Sequence, residues 1–251
     1  MVDLVAGYAR GYHARKVRPF LKSLRMTGYE GRILWFADRG AAEEGERWGA
    51  MVRPPPRPVT KVHHDRFFHL AAAVKEIACE GVLVADTRDV VFQKDPSQAL
   101  PSEGFHAFEE DLSMRVGSCP WNSKWIREAF GEAVLEAMAD LPISCVGASC
   151  GDHRSMSLYL DQIAAGIRVH SQDTAHHNSI VRRRANEVFQ GSSLRVWGNE
   201  EGEVYTVGYV PRETVKIVHG KIVNKAGRVP AVVHQWDRHE NLSAFIKEVY
   251  K

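Results

Sequence analysis

The amino-terminal part of this 251-residue chain alternates apolar runs with segments of helical spacing, and that order constrains the fold more than any other feature. Val2 to Ala6 reads as a short buried strand, left through a loop at Gly7 to Gly11. Val17, Phe20, Leu21 and Leu24 then recur at the i, i+3, i+4, i+7 spacing that puts all four on one helix face. Gly28 ends that helix, and Arg32 to Ala37 supplies a second strand. An exposed helix is expected over Ala41 to Trp48, a third strand at Ala50 to Val52, a helix carrying Phe67, Leu70, Ala71, Val74 and Ala78, and a fourth strand that ends at Asp86. Alternation of this kind calls for a parallel sheet with right-handed crossovers. The stretch RPPPRP, Arg53 to Pro58, interrupts it; its prolines fix φ and remove donors, so it must be an extended surface connector.

The second half changes character. Strands are expected at Phe105 to Phe108 and Ser144 to Ser149, and helices at Lys124 to Ala139, Ser155 to Ala165 and Thr174 to Glu187. Short β-like runs with glycine turns follow, at Val196, Val204 to Val207, Val215 to Val218 and Val229 to His234, before a closing helix from Asn241 to Val249. The fold class is therefore α/β: a mostly parallel mixed sheet flanked by helices, with a smaller antiparallel portion in the carboxyl-terminal half.

Hydrophobic content of 44% and charged content of 25% suit one globular unit over residues 1–251. A net charge of +2 falls short of the basicity of a dedicated nucleic-acid binder, so no nucleic-acid partner is expected. The one tight cationic run, Arg182 to Arg184, reads as a solvated helix face. No stretch has the length of apolar sequence that crosses a bilayer, and the start lacks a signal peptide's order, so a cytoplasmic protein is expected, meeting the inner face of the membrane only peripherally. Cys79, Cys119, Cys145 and Cys150 form no CxxC pattern and read as free, mostly buried thiols. The pairs His63-His64 and His176-His177 are adjacent, and neighbours on a helix point about 100° apart, so neither pair chelates one ion and cleft or surface roles are expected.

The chemistry concentrates in Val82 to Pro96, VLVADTRDVVFQKDP, where an apolar run ends in Asp86 and Asp89 and then turns apolar again. A buried strand delivering paired acids to its carboxyl end is how an open α/β sheet presents a divalent cation to a phosphorylated ligand. The plainer alternative is an acidic turn whose side chains cap neighbouring backbone.

Set beside the downstream QDTAHHN and the late VVHQWDRH, this turn resembles that of nucleotide-sugar glycosyltransferases of the GT-A fold, and among them bacterial sugar transferases distantly related to glycosyltransferase family 8. In that superfamily a DxD turn holds manganese or magnesium against the donor's diphosphate. Here the acids stand three apart; the resemblance makes Asp89 the second, metal-binding acid, with Asp86 as ligand or ribose contact. His234, at the end of an apolar run, matches the family's histidine ligand, completing the set Asp86, Asp89 and His234 for Mn²⁺ or Mg²⁺. Asp173 matches the acid of the DQxxxN signature, where Thr174 replaces the glutamine, and is the expected catalytic carboxylate; Asp152 is a second candidate base. The resemblance also implies that Ala6, Gly7 and Tyr8 meet the base and ribose, that Arg66 contacts the nucleotide, that Gly147 lets backbone approach the donor sugar, and that Arg238 meets phosphate.

What this implies is a metal-dependent hexosyltransferase moving sugar from a UDP-type donor to a hydroxyl of a glycan or lipid-linked acceptor. Residues 1–110 would form the nucleotide-binding half and 111–251 the acceptor-binding half. Two alternatives stand beside it: an inactive relative that only binds sugar nucleotide, and a magnesium-dependent phosphohydrolase. The latter needs its nucleophilic Asp on the first strand and a Thr two places after the second acid, where this chain has Val91.

Overall fold

The computed structural model describes residues 1–58, 61–169 and 172–251, with the side chains at 62, 63 and 169 outside that description. The chain opens with β1 (Val2–Ala9), α1 (Ala14–Met26), β2 (Arg32–Ala37), α2 (Arg39–Arg47), β3 (Met51–Arg53), α3 (Val62–Lys75) and β4 (Gly81–Ala85). It continues with β5 (Val90–Phe92), α4 (Pro96–Ala99), β6 (Phe105–Glu109), α5 (Pro120–Phe130), α6 (Glu132–Met138), β7 (Ser144–Asp152), α7 (His153–Val169), α8 (Asp173–Arg182), α9 (Ala185–Phe189) and β8 (Leu194–Trp197). The last part holds β9 (Val204–Thr206), β10 (Lys216–Val218), β11 (Lys221–Val223), β12 (Val232–His234) and α10 (Glu240–Val249), with a 3₁₀ turn at Trp236–Arg238.

Among the described residues, seven strands build the main sheet in the order β3-β2-β1-β4-β7-β6-β8. The first four in that order run parallel, as their βα alternation demands, while β7 runs antiparallel to both β4 and β6. In a smaller sheet, β12 lies between β5, which it meets antiparallel, and β9, which it meets parallel. β10 and β11 form an antiparallel hairpin.

Side chains alternate across β1, and each set finds its own core. Leu4, Ala6 and Tyr8 pack with Phe67, Leu70 and Val74 of α3 and with Met156, Leu160 and Ile163 of α7. Val5 and Ala9 face the other way, toward the apolar face of α1, where Val17, Phe20, Leu21 and Leu24 are all buried. The small sheet backs onto this second core through Val90, Phe92, Val204 and Val232. Its far face, with Val91, Tyr205 and Val233, is covered by Leu242 and Ile246 of α10. β1 and β4 are neighbours at the point where the strand order turns from β3-β2-β1 to β4-β7-β6, and their carboxyl ends frame the crevice where open α/β sheets bind ligands.

Several boundaries depart from expectation for local reasons. β1 continues to Ala9 because Gly7, Tyr8 and Ala9 hold register with Trp35, Phe36 and Ala37, so the loop begins only at Arg10. Gly7 serves packing there: a Cβ would stand 2.6 Å from both Thr87 and Trp35 side-chain atoms. The helix expected over Lys124 to Ala139 is two helices, divided at Gly131 with φ +85°. The one expected over Thr174 to Glu187 divides at Arg183 and Arg184. Arg182 is not a solvated cation, since its Nη2 donates to Glu109 Oε1 at 2.7 Å and to the Pro142 carbonyl at 2.9 Å. Arg184 pairs with Glu187, which leaves Arg183 as the exposed member of the run.

Candidate metal centre

Three separate elements bring Asp86, Asp89 and His234 together. Asp86 follows β4, and its N–H donates to the Gly147 carbonyl of β7 at 2.8 Å. Asp89 precedes β5, and its carbonyl accepts the N–H of Gln235, the residue after β12, at 2.9 Å. Between the two acids, Thr87 turns back to donate its hydroxyl to the Tyr8 carbonyl at 2.9 Å, and Arg88 turns out to meet Asp89 Oδ2 at 3.3 Å and Asp237 Oδ2 at 3.2 Å. This bend is what lets carboxylates spaced three apart converge.

His234 Nε2 lies 3.5 Å from Asp86 Oδ2 and 3.8 Å from Asp89 Oδ1, and one ligand atom from each of the three residues falls within 4.8 Å of the others. That Nε2 is buried and has no hydrogen-bond partner among the described residues. A buried nitrogen left open toward two carboxylate oxygens is the donor set of a hard or borderline divalent cation, so these residues fit Mn²⁺ or Mg²⁺. Burial opposes charge on His234, but the Cys145 sulfur, Asp89 and Glu110 outweigh it and lift its pKa to about 9. Glu110, buried behind the imidazole, is pushed up to about 7 by desolvation.

Gly147 stands directly beneath this cluster. A Cβ there would lie 2.6 Å from His234 Nε2 and 3.0 Å from Asp86 Oδ2, so the missing side chain makes room for two candidate ligands. Asp86 divides its oxygens: Oδ2 faces His234, while Oδ1 forms a direct ion pair with Arg66 of α3. Arg66 also reaches Asp173 Oδ2 through Nη2 at 3.4 Å. Asp173 opens α8, and its Oδ1 accepts the Thr174 N–H at 2.9 Å and stands 3.8 Å from His64 Nε2.

The docking of α8 on β7 places Asp173. Asn178 Oδ1 accepts the Ser144 N–H at 2.9 Å, and its Nδ2 donates back to the Ser144 carbonyl at 3.0 Å. His177 is wedged between Ser144 Oγ and Tyr159 OH, each 2.8 Å away, and burial pushes its pKa down to about 3. His176 and His64 are likewise buried, against the expectation of surface or cleft histidines; the side chain of His63 lies outside the described residues. Helix packing claims the rings of His176 and His177 because α8 is sandwiched by β7, α7 and α5, while His64, on α3, stands beside Asp173.

The other expected positions stand outside the Asp86, Asp89 and His234 cluster itself. Ala6, Gly7 and Tyr8 are buried within β1, and the Tyr8 ring packs against Phe36 and His69 at 6.0 and 5.5 Å between centroids. The half-buried aromatic beyond the strand is Tyr12, within electrostatic reach of Arg88. Asp152 pairs in register with Gly81, at the end of β4 remote from Asp86, and caps α7 by accepting the Ser155 N–H at 2.7 Å; it is not part of the centre. Arg238 is exposed in the turn after β12, 3.7 Å from Asp237. Beside the centre, a cleft of about 680 Å³ runs between α1 and α10, with Arg15, Lys16, Arg88, Lys247, Trp236 and Asp237 on its walls. Arg88, Tyr12, Cys145 and Asn178 were not singled out by sequence reasoning as site-forming; for Asn178 the signal was present in the QDTAHHN segment itself.

No protein-family model and no curated protein matches the chain. Solved structures do. A galactosyltransferase, LgtC, in complex with donor and acceptor sugar analogues superimposes with a TM-score of 0.57 at 16% identity, over 98% of this chain and 93% of that one. A glutamine-to-glutamate active-site mutant of LgtC matches with a TM-score of 0.59 at 15% identity over the same shares. The main sheet, the antiparallel β7, the small sheet and the flanking helices thus compose the GT-A fold of those galactosyltransferases.

Proposed function

We propose that this chain is a metal-dependent glycosyltransferase that moves a hexose from a nucleotide sugar, a UDP-sugar in the first instance, to a hydroxyl of a glycan or lipid-linked acceptor. The observation that carries the proposal is the buried His234 Nε2, without a hydrogen-bond partner among the described residues, facing Asp86 and Asp89 at the carboxyl end of β4 in a chain with the GT-A fold. Asp86, Asp89 and His234 would hold Mn²⁺ or Mg²⁺, which when bound offsets the charge that builds on a leaving nucleoside diphosphate. Arg238 and the cationic cleft walls, Arg15, Lys16, Arg88 and Lys247, favour the same anion through their positive field.

Asp173 is the proposed catalytic carboxylate. Held by Arg66 and by the Thr174 N–H, it is oriented to bind sugar hydroxyls, stabilise positive charge at the anomeric carbon or take the acceptor's proton. Arg66 keeps Asp86 and Asp173 apart in charge and together in space. Residues 1–110 supply the nucleotide side in this proposal and 111–251 the acceptor side. Among the described residues no helix is long and apolar enough to cross a membrane; we place the enzyme in the cytoplasm, where a lipid-linked acceptor is met at the inner membrane face.

A thermal-shift panel of nucleoside diphosphates with and without Mn²⁺ tests donor binding, because a ligand that prefers the native state raises the melting point. UDP is expected to give the largest shift, and only with the metal. Incubation with UDP-hexoses should then release UDP, with the anomeric proton of the product reporting the stereochemistry. The absence of any UDP shift with Mn²⁺ would count against the proposal.

A further inference from the structure

A metal-binding imidazole has a second nitrogen, and the bond that nitrogen makes decides which lone pair is left for the metal. In this chain His234 Nδ1 lies 3.2 Å from Cys145 Sγ and 3.5 Å from Thr206 Oγ1, while Nε2 faces Asp86 and Asp89. Cys145 is 2% exposed, on β7, two residues before the glycine that makes room for the imidazole. Its sulfur also accepts the Gly147 N–H at 3.4 Å, and its thiol meets the buried Glu110 carboxylate. A cysteine that merely filled space would have apolar neighbours. This one has a backbone amide, an imidazole and a carboxylate around a single sulfur.

We propose that Cys145 is a positioning residue for the metal centre: its sulfur accepts the Nδ1–H of His234 and holds the ring with Nε2 directed at Asp86 and Asp89, Thr206 being the weaker second anchor. The proposal rests on the reading of Asp86, Asp89 and His234 as metal ligands and adds the residue that selects the ligating nitrogen. β7 and β12 lie in different sheets, so the Cys145–His234 bond also ties the main sheet to the small one at the point where the ligands converge. Without it, Nδ1–H keeps only the longer contact to Thr206, and the ring is free to turn within its pocket. Serine can replace the function, since its hydroxyl is a better acceptor; valine cannot, although it fills the space.

The test is calorimetric titration of the full chain with Mn²⁺ alone, for wild type, His234→Ala, Cys145→Ala, Cys145→Val and Cys145→Ser, with melting curves to show that each variant is folded. Outer-shell partners of metal ligands are worth 10–100-fold in affinity, so Cys145→Ala and Cys145→Val are each expected to weaken Mn²⁺ binding by about 10-fold, with Cys145→Ser within about 3-fold of wild type. Wild-type affinity in Cys145→Val would overturn the positioning role and leave a packing role, whatever Cys145→Ala does. If wild type binds no Mn²⁺, or His234→Ala binds it unchanged, the metal centre itself fails and the positioning role with it. Loss in His234→Ala without loss in either apolar Cys145 variant isolates the failure to this proposal.

Discussion

Asp86 and Asp173, carried by different elements, are joined through one guanidinium: Arg66 pairs with Asp86 Oδ1 through Nη1 and stands 3.4 Å from Asp173 Oδ2 through Nη2. The three side chains are largely sheltered, so Arg66 is the charge that allows two acids to face one crevice. Arg66→Ala is expected to cost about 1–3 kcal/mol of stability, the order of leaving a sheltered charged partner unpaired, and to reduce transfer more than any stability loss explains. Arg66→Lys should not rescue it, because one ammonium cannot bridge both carboxylates as a fork does. Thermal unfolding and UDP release measured on the same samples check both statements.

Gly147→Ala is the smallest change expected to disable the centre. The added methyl would press on His234 Nε2 and Asp86 Oδ2, and the neighbouring β7–β4 pairing keeps the backbone from backing away. Overpacking of this sort costs about 1–3 kcal/mol. Mn²⁺ titration should show affinity lost alongside a lowered melting temperature. An alanine variant with wild-type metal affinity would mean that the cluster tolerates rearrangement.

Asp173→Asn separates chemistry from binding. The amide retains an acceptor for the Thr174 N–H but loses the negative charge. Removing a positioned acid or base typically costs about 10²–10⁴ in rate, so turnover should fall within that range while UDP affinity, measured by calorimetry, stays near wild type. Equal loss of both would reassign Asp173 to donor binding.

The pH dependence of stability has an assignable part at His177. Its burial, reinforced by Arg182 and Arg66, holds the folded pKa at about 3 against an ordinary value of 6.5. The unfolded chain therefore takes the proton first. The stability contributed by neutral His177 is complete above about pH 6.5 and declines as pH falls toward 3, by roughly 1.4 kcal/mol per pH unit. Urea unfolding at pH 6.5 and pH 5 should show wild type losing about 2 kcal/mol more than His177→Gln over that interval. Equal losses in the two proteins would remove His177 as the source.

The helices and strands up to β4 were legible because they are local: β1, β2, β4, α1 and α3 each bury apolar residues that stand close together in the chain. The acids of the turn were legible for the same reason, and the resemblance pointed to His234. What could not be read was pairing across distance. That β5 leaves the main sheet to join β12 and β9, that Arg66 bridges to Asp173, and that Cys145 meets Nδ1 of His234 each join residues far apart in the chain. Arg182 was read as a solvated cation because its partner Glu109 lies far away in sequence. The first strand was read as ending at Ala6 because Gly7 suggests a loop, whereas Gly7 is there to admit Trp35 and Thr87.

The central claim is that Asp86, Asp89 and His234 hold one divalent cation through which a nucleoside diphosphate is bound. Calorimetric titration of UDP into wild type and Asp89→Asn, each with Mn²⁺ and with a chelator, tests it most directly. The tightest UDP binding is expected for wild type with Mn²⁺, weakened at least about 10-fold by the chelator or by the substitution. UDP binding of equal strength in all four titrations would contradict it.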